Sequence, residues 1–186
     1  MTDLTAVIRN ATVQTADQLM RQTGFCPPPS VHMLTDDPDH PYLGFVSCRL
    51  FRGGTDAATA VTDLGLLPSV LGAKRLLVTW EDCDLRTALQ QTGVSFPTAV
   101  VTLEATMSKQ TLAWHPFDVQ VGPRSPAGVP TTVAQWQPTT YDTNATVLPC
   151  ITGLLDLWRQ ARDGNAGQTI KGLRRAGYMV NLATRT

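Results

Sequence analysis

Glutamate is almost missing from this chain: only Glu81 and Glu104 stand against thirteen aspartates, and three lysines stand against twelve arginines. Isoleucine is scarce while threonine and alanine abound, a bias that reads as coding-DNA composition rather than a functional choice. The four cysteines, Cys26, Cys48, Cys83 and Cys150, form no CxxC pair, which excludes a zinc ribbon and a thioredoxin-like motif. His32, His40 and His115 show no HxH or HExxH spacing. A GxxxxGKS/T loop and a GxSxG elbow are both absent. No apolar run approaches the roughly 18 residues of a membrane helix. The first residues, with Asp3 and no apolar h-region, do not read as a signal peptide. These absences together predict a soluble, cytoplasmic protein.

What is present is globular. A chain of 186 residues with 42% hydrophobic and 16% charged residues is long enough to bury a real core without disulfides or metals. It reads as one domain spanning residues 1–186. The net charge of zero gives no general electrostatic case for a membrane or nucleic-acid partner. Charge is unevenly spread, however: residues 1–150 sum to −4 and residues 151–186 to +4, so the C-terminal part presents a basic face.

Periodicity predicts a first helix from about Ala11 to Gln22, buried through Val13, Ala16, Leu19 and Met20, with Gly24 as its cap and Phe25 packing back. Cys26-Pro27-Pro28-Pro29 should run extended. Strands at Val31–Leu34 and Tyr42–Phe51 should pair as a hairpin, the second burying Val46, Cys48 and Leu50. A helix follows Arg52-Gly53-Gly54-Thr55. Lys74–Trp80, with its unalternating Leu76-Leu77-Val78, reads as a central strand covered on both faces. Asp82 should cap the next helix and Gly93 should close it. This strand–helix rhythm predicts a right-handed, parallel βαβ core. Thr98–Thr106 and Thr111–Val121 should extend it as an antiparallel hairpin. In the second of these strands the apolar positions change parity between Trp114 and Phe117, so a β-bulge near His115–Pro116 is expected. Thr131–Trp136 reads as one more strand. Pro149 opens the strongest helix, with Ile151, Leu154, Leu155 and Trp158 on one stripe. A last helix near Gln168–Ala176 and a strand through Tyr178, Val180 and Leu182 close the chain. The expected fold is therefore α/β: one mixed sheet with a βαβ core, a hairpin extension and helices packed on the sheet.

Candidate chemistry gathers where strand ends meet helix starts, the usual ligand position in open α/β sheets. The turn Arg52, Gly53, Gly54, Thr55 offers backbone N–H groups and a guanidinium to an anion. Asp56 in its first helical turn opposes that, and a tight turn with a Thr55 N-cap explains the segment better. Asp82 and Asp84, two apart after an apolar strand, resemble a carboxylate pair that shares a hard cation. Residues 1–80 hold no Glu to complete such a site, and both aspartates also suit a helix start. Cys83 is surrounded by carboxylates, which oppose its thiolate. His115 draws notice because bulges often lie beside active sites. Lys171, Arg174 and Arg175 share one face of the last helix, either as a solvated surface or as a contact for an acidic partner or nucleic-acid backbone.

No acid/base, nucleophile or metal set is complete, so no metal and no cofactor is expected. The leading expectation is a non-enzymatic interaction or regulatory protein acting through a partner, either as a homodimer or with a heterologous protein. Nucleic acid could engage only the basic C-terminal helix. Two other readings remain: a metal-dependent enzyme on a phosphate-containing substrate, and a binder of a small anionic ligand at Arg52–Thr55 and Asp82–Asp84.

Overall fold

The computed structural model describes residues 3–91, 96–124, 128, 130–160 and 164–183. Helix α1 (Leu4–Thr23) leads through the proline segment to strands β1 (Ser30–Leu34) and β2 (Tyr42–Ser47). Helix α2 (Thr55–Thr62), a single 3-10 turn and helix α3 (Leu66–Val70) precede β3 (Arg75–Glu81), followed by α4 (Asp82–Ala88). Strands β4 (Ala99–Thr106), β5 (Gln110–Arg124), β6 (Pro130–Trp136) and β7 (Thr140–Asp142) come next. Helices α5 (Pro149–Arg159) and α6 (Ala166–Arg175) and strand β8 (Met179–Leu182) complete the chain. The eight strands form one sheet in the order β6-β5-β4-β3-β1-β2-β8, with β7 continuing the β6 edge of β5. None of the described helices is long and apolar enough to cross a membrane.

Every pairing among the described residues is antiparallel, so the parallel βαβ core is corrected. The physical reason lies in β1. It pairs antiparallel with β2 on one side and with β3 on the other. Strands β2 and β3 therefore run in the same direction, as the helical connection between them requires, but β1 fills the slot between them. Periodicity reports direction and burial. It does not report which strand occupies the gap.

The sheet is covered on both faces. On one, Val31, Val78 and Leu103 join α2 and α5 in the larger core, where Ile151, Leu154 and Trp158 are buried as expected. The Trp158 indole N–H donates to the Ala73 carbonyl at 3.0 Å, so its burial leaves no orphaned donor. On the other face α1 packs on β3, β4 and β6, and Ala16 and Met20 meet Val100, Phe117 and Ala134. Trp136 packs against Phe117 in a tilted arrangement with ring centroids 5.1 Å apart and donates to Asp17 Oδ1.

This two-sided cover overturns the bulge near His115–Pro116. The register of β5 is unbroken against β4 from Gln110 to Pro116, and against β6 from Phe117 to Val121. Leu112 and Trp114 pack on the larger core while Phe117 packs beneath α1, so the parity change marks a change of partner layer. Val119 faces solvent.

Smaller corrections share one cause, an element ending sooner or starting earlier than its apolar pattern. Helix α1 begins at Leu4, capped by Asp3 Oδ1 on the Thr5 N–H. Gly24 caps its end in the left-handed region at φ 79°, but Phe25 is exposed instead of packing back. Strand β2 stops at Ser47, which leaves Leu50 97% exposed. Gly93 lies outside the described residues.

Candidate functional site

The end of β2, the end of β3 and the start of β4 lie together at one end of the strands. Antiparallel order brings both strand-to-helix junctions expected to matter, Arg52–Thr55 and Glu81–Asp84, to this one end. A cleft of about 460 Å³ opens there. One wall is the extended segment Cys26–Pro29, held by the Cys48 N–H on the Pro29 carbonyl at 2.8 Å. The second is Cys48–Phe51, leaving β2. The third is the start of α4, with Glu81, Asp84 and Leu85.

The turn at Arg52–Thr55 already holds one anion of the protein's own, the Asp56 carboxylate. Two of its four backbone N–H groups are engaged internally: the Arg52 N–H donates to Asp56 Oδ2 at 2.7 Å, and the Gly54 N–H donates to the Ala88 carbonyl at 2.7 Å. The Asp56 carboxylate also takes both terminal nitrogens of Arg49. With the Arg49 guanidinium foremost and the Arg52 N–H second, the Asp56 carboxyl is held down to about 2. The anion that this turn attracts is therefore Asp56 itself. Gly54, at φ 76° and ψ −131°, is the N-cap of α2, so Thr55 is its first helical residue and not the cap. The Arg52 side chain is exposed.

The aspartates divide in the same way. Asp82 is 2% exposed, with Oδ1 accepting from the Trp80 indole at 3.1 Å and Oδ2 from Arg86 Nε. Both oxygens are engaged inside the fold. The cap is Glu81, whose Oε2 accepts from the Asp84 N–H, correcting the assignment to Asp82. Asp84 alone of the pair faces the cleft. Among the described residues no three His, Cys, Asp or Glu side chains gather as metal ligands.

His115 is buried beneath α1, away from the cleft lining, with Nδ1 on Thr139 Oγ1 at 2.9 Å and Nε2 on Thr102 Oγ1 at 3.3 Å. Burial, then the Arg9 charge, lowers its pKa. Lys171, Arg174 and Arg175 are exposed on α6. One Arg174 nitrogen donates to the Val180 carbonyl at 3.0 Å, covering part of the β8 backbone at the sheet edge.

What the sequence reading missed is Glu81 and Arg49. Glu81 is 6% exposed; its Oε1 accepts from the Ala99 N–H at 3.1 Å, and burial pushes its carboxyl upward. A usable signal existed, since one of the chain's two glutamates stands at the strand-to-helix junction, three residues before Asp84. The cleft thiols are poor nucleophiles: burial pushes Cys26 up to about 12, with Glu81 and Asp84 adding to it, and pushes Cys48 up to about 12 as well. Comparison with family models, curated proteins and solved structures finds no match.

Proposed function

We propose that the protein acts by binding, and that the strand-end cleft takes a small molecule with an apolar body and a positively charged amine. The observation that carries this is a charge imbalance. Glu81 and Asp84 line the cleft and form no ion pair among the described residues, whereas the cation on the opposite wall, Arg49, is spent on Asp56. The volume falls in the range of small-molecule pockets, about 300–1,000 Å³. Cys48, Phe51 and Leu85 supply apolar wall, and an ammonium group would relieve the cost of a carboxylate buried as deeply as Glu81. A small cationic ligand is favoured here over the small anionic one that was an alternative reading of the sequence, because Asp56 already sits on the Arg52 N–H and Arg49. Binding in place of chemistry is supported by the protonated thiols and by the two backbone N–H groups that fix Glu81.

The test is a thermal-shift and calorimetric comparison of three molecules sharing one aromatic body: phenethylamine, phenethyl alcohol and phenylpropionate. The amine should raise the melting temperature, and Asp84→Asn should weaken it at least about tenfold, or about 1.4 kcal/mol. Equal or stronger binding of the carboxylate would overturn the reading.

A further inference from the structure

Glu81 and Asp84 stand at the two ends of one hydrogen bond, in which the Asp84 backbone N–H donates to Glu81 Oε2. That bond keeps the two carboxylates within one residue's reach of each other, and both line the strand-end cleft. Glu81 is buried and Asp84 is exposed, so the pair runs from the inner side of the cleft to its solvent side.

Much of their capacity to accept hydrogen bonds is unspent. A carboxylate offers about four lone-pair positions. Glu81 takes the Asp84 N–H on one oxygen and the Ala99 N–H on the other. The Asp84 oxygens hold neither a hydrogen bond nor an ion pair among the described residues. The facing walls have few donors to offer in return. Pro27, Pro28 and Pro29 carry no N–H at all. The Cys48 N–H is spent on the Pro29 carbonyl, and the Gly177 N–H on the Arg174 carbonyl. The terminal nitrogens of Arg49 are spent on Asp56 and on the Leu50 carbonyl. A ligand has to bring the donors itself.

This requirement separates one kind of cation from another. A quaternary ammonium has no N–H, and proteins hold it in a cage of aromatic faces. Here Phe51 is the one aromatic side chain among the described residues of the lining. Methyl groups set against Glu81 would leave a buried carboxylate facing hydrocarbon, without the donors that water gave it. A planar guanidinium forks onto a single carboxylate. The three N–H groups of a primary ammonium fan out instead, and can serve two acceptors at once. We infer that the cleft recognises its ligand through a primary ammonium that bridges Glu81 and Asp84, and that it discriminates against N-methylated amines. This rests on the amine reading of the cleft and adds the class of amine.

The experiment is a calorimetric titration of the full chain, at neutral pH, with phenethylamine and its N-methyl, N,N-dimethyl and N,N,N-trimethyl derivatives. All four are cations with the same aromatic body, and affinity should fall with each added methyl group. The trimethyl cation should bind at least about a hundredfold more weakly than the primary amine, because its charged hydrogen bonds go unmade. Steric crowding is separated by Asp84→Ala, which keeps the N–H that holds Glu81 because that donor is backbone. Losing one of the two bridged acceptors should shrink the gap between the primary and trimethyl cations at least about fivefold, whereas crowding alone would preserve it. A trimethyl cation within about threefold of the primary amine, or a gap unchanged in Asp84→Ala, would overturn the inference and leave the amine reading standing. Phenethylamine that binds no more tightly than phenethyl alcohol would remove the amine reading, and the inference with it.

Discussion

The backbone N–H of Gly54 donates to the carbonyl of Ala88 across 2.7 Å, and this bond ties the loop before α2 to the end of α4. Ala88 lines the strand-end cleft. Gly54 can make it only at φ 76° and ψ −131°, a conformation that side chains other than glycine avoid, and a Cβ there would meet the Gln90 amide oxygen at 3.3 Å. Gly54→Ala should therefore cost about 1–3 kcal/mol. Urea melts check this, and a loss below about 0.5 kcal/mol would mean that the turn relaxes freely.

The core prediction concerns Trp158, which is 1% exposed and donates to Ala73. Trp158→Ala should cost about 3–5 kcal/mol in the same melts. Trp158→Phe retains most of the packing but leaves the Ala73 carbonyl without its donor, so it should fall between the two. If the phenylalanine variant loses as much as the alanine variant, the hydrogen bond and not the packing dominates.

These two residues show how much was legible. The stripe Ile151, Leu154, Leu155, Trp158 could be read because α5 buries one face against one layer, so period and burial agree. The end of β5 could not, because Trp114 and Phe117 serve opposite faces of a sheet that is covered twice, and a single-face reading turns that into a bulge. The βαβ core misled for a topological reason: nothing in the residues of β2 or β3 records that β1 lies between them. At the site, the position and Asp84 were legible, and Glu81 and Arg49 were not. The strand-to-helix junctions do converge, but Arg49 and Glu81 line the cleft where Arg52 and Asp82 were expected, because only tertiary contacts decide which of two neighbouring side chains reaches it.

Arg49 and Arg52 make a contrasting pair. Arg49→Ala removes both side-chain donors from Asp56, whereas Arg52 reaches that carboxylate through its backbone, which mutation retains. Arg52→Ala should stay within about 0.5 kcal/mol of wild type, and Arg49→Ala should destabilise clearly more. Asp56 is depressed from 3.8 to about 2, so its stabilisation is complete above pH about 4 and fades as the pH falls toward 2. Asp56→Asn should flatten the stability profile in that window.

His32 gives a second window with a distinct cause. Burial lowers its pKa from 6.5 to about 4, because the charged imidazolium is disfavoured beside Phe45 and Tyr42. As pH falls below 6.5 the unfolded chain binds a proton that the folded chain refuses, so stability declines from pH about 6.5 down to about 4 and then levels. His32→Gln should make this limb shallower, leaving the share that the buried His115 contributes, while keeping a partner for the Tyr42 hydroxyl. A melting profile equally steep between those values in the variant would assign the limb to other groups.

The last test separates the two aspartates once read as a pair. Asp82 holds the Trp80 indole N–H and the Arg86 guanidinium within the fold, so Asp82→Ala orphans a buried donor and should cost about 1–3 kcal/mol for the indole alone. Asp84 is exposed and its role in capping is through its backbone N–H, which a substitution keeps. Asp84→Asn should therefore leave stability within about 0.5 kcal/mol while weakening amine binding in the cleft. If the two instead shared a cation, both variants would behave alike, each abolishing a calorimetric response to Mg²⁺ or Mn²⁺. The expected result is divergence: Asp82→Ala loses stability, Asp84→Asn loses ligand, and neither changes the response to divalent metals. A stoichiometric Mg²⁺ site that disappears in Asp84→Asn would replace the amine reading with the metal-dependent one.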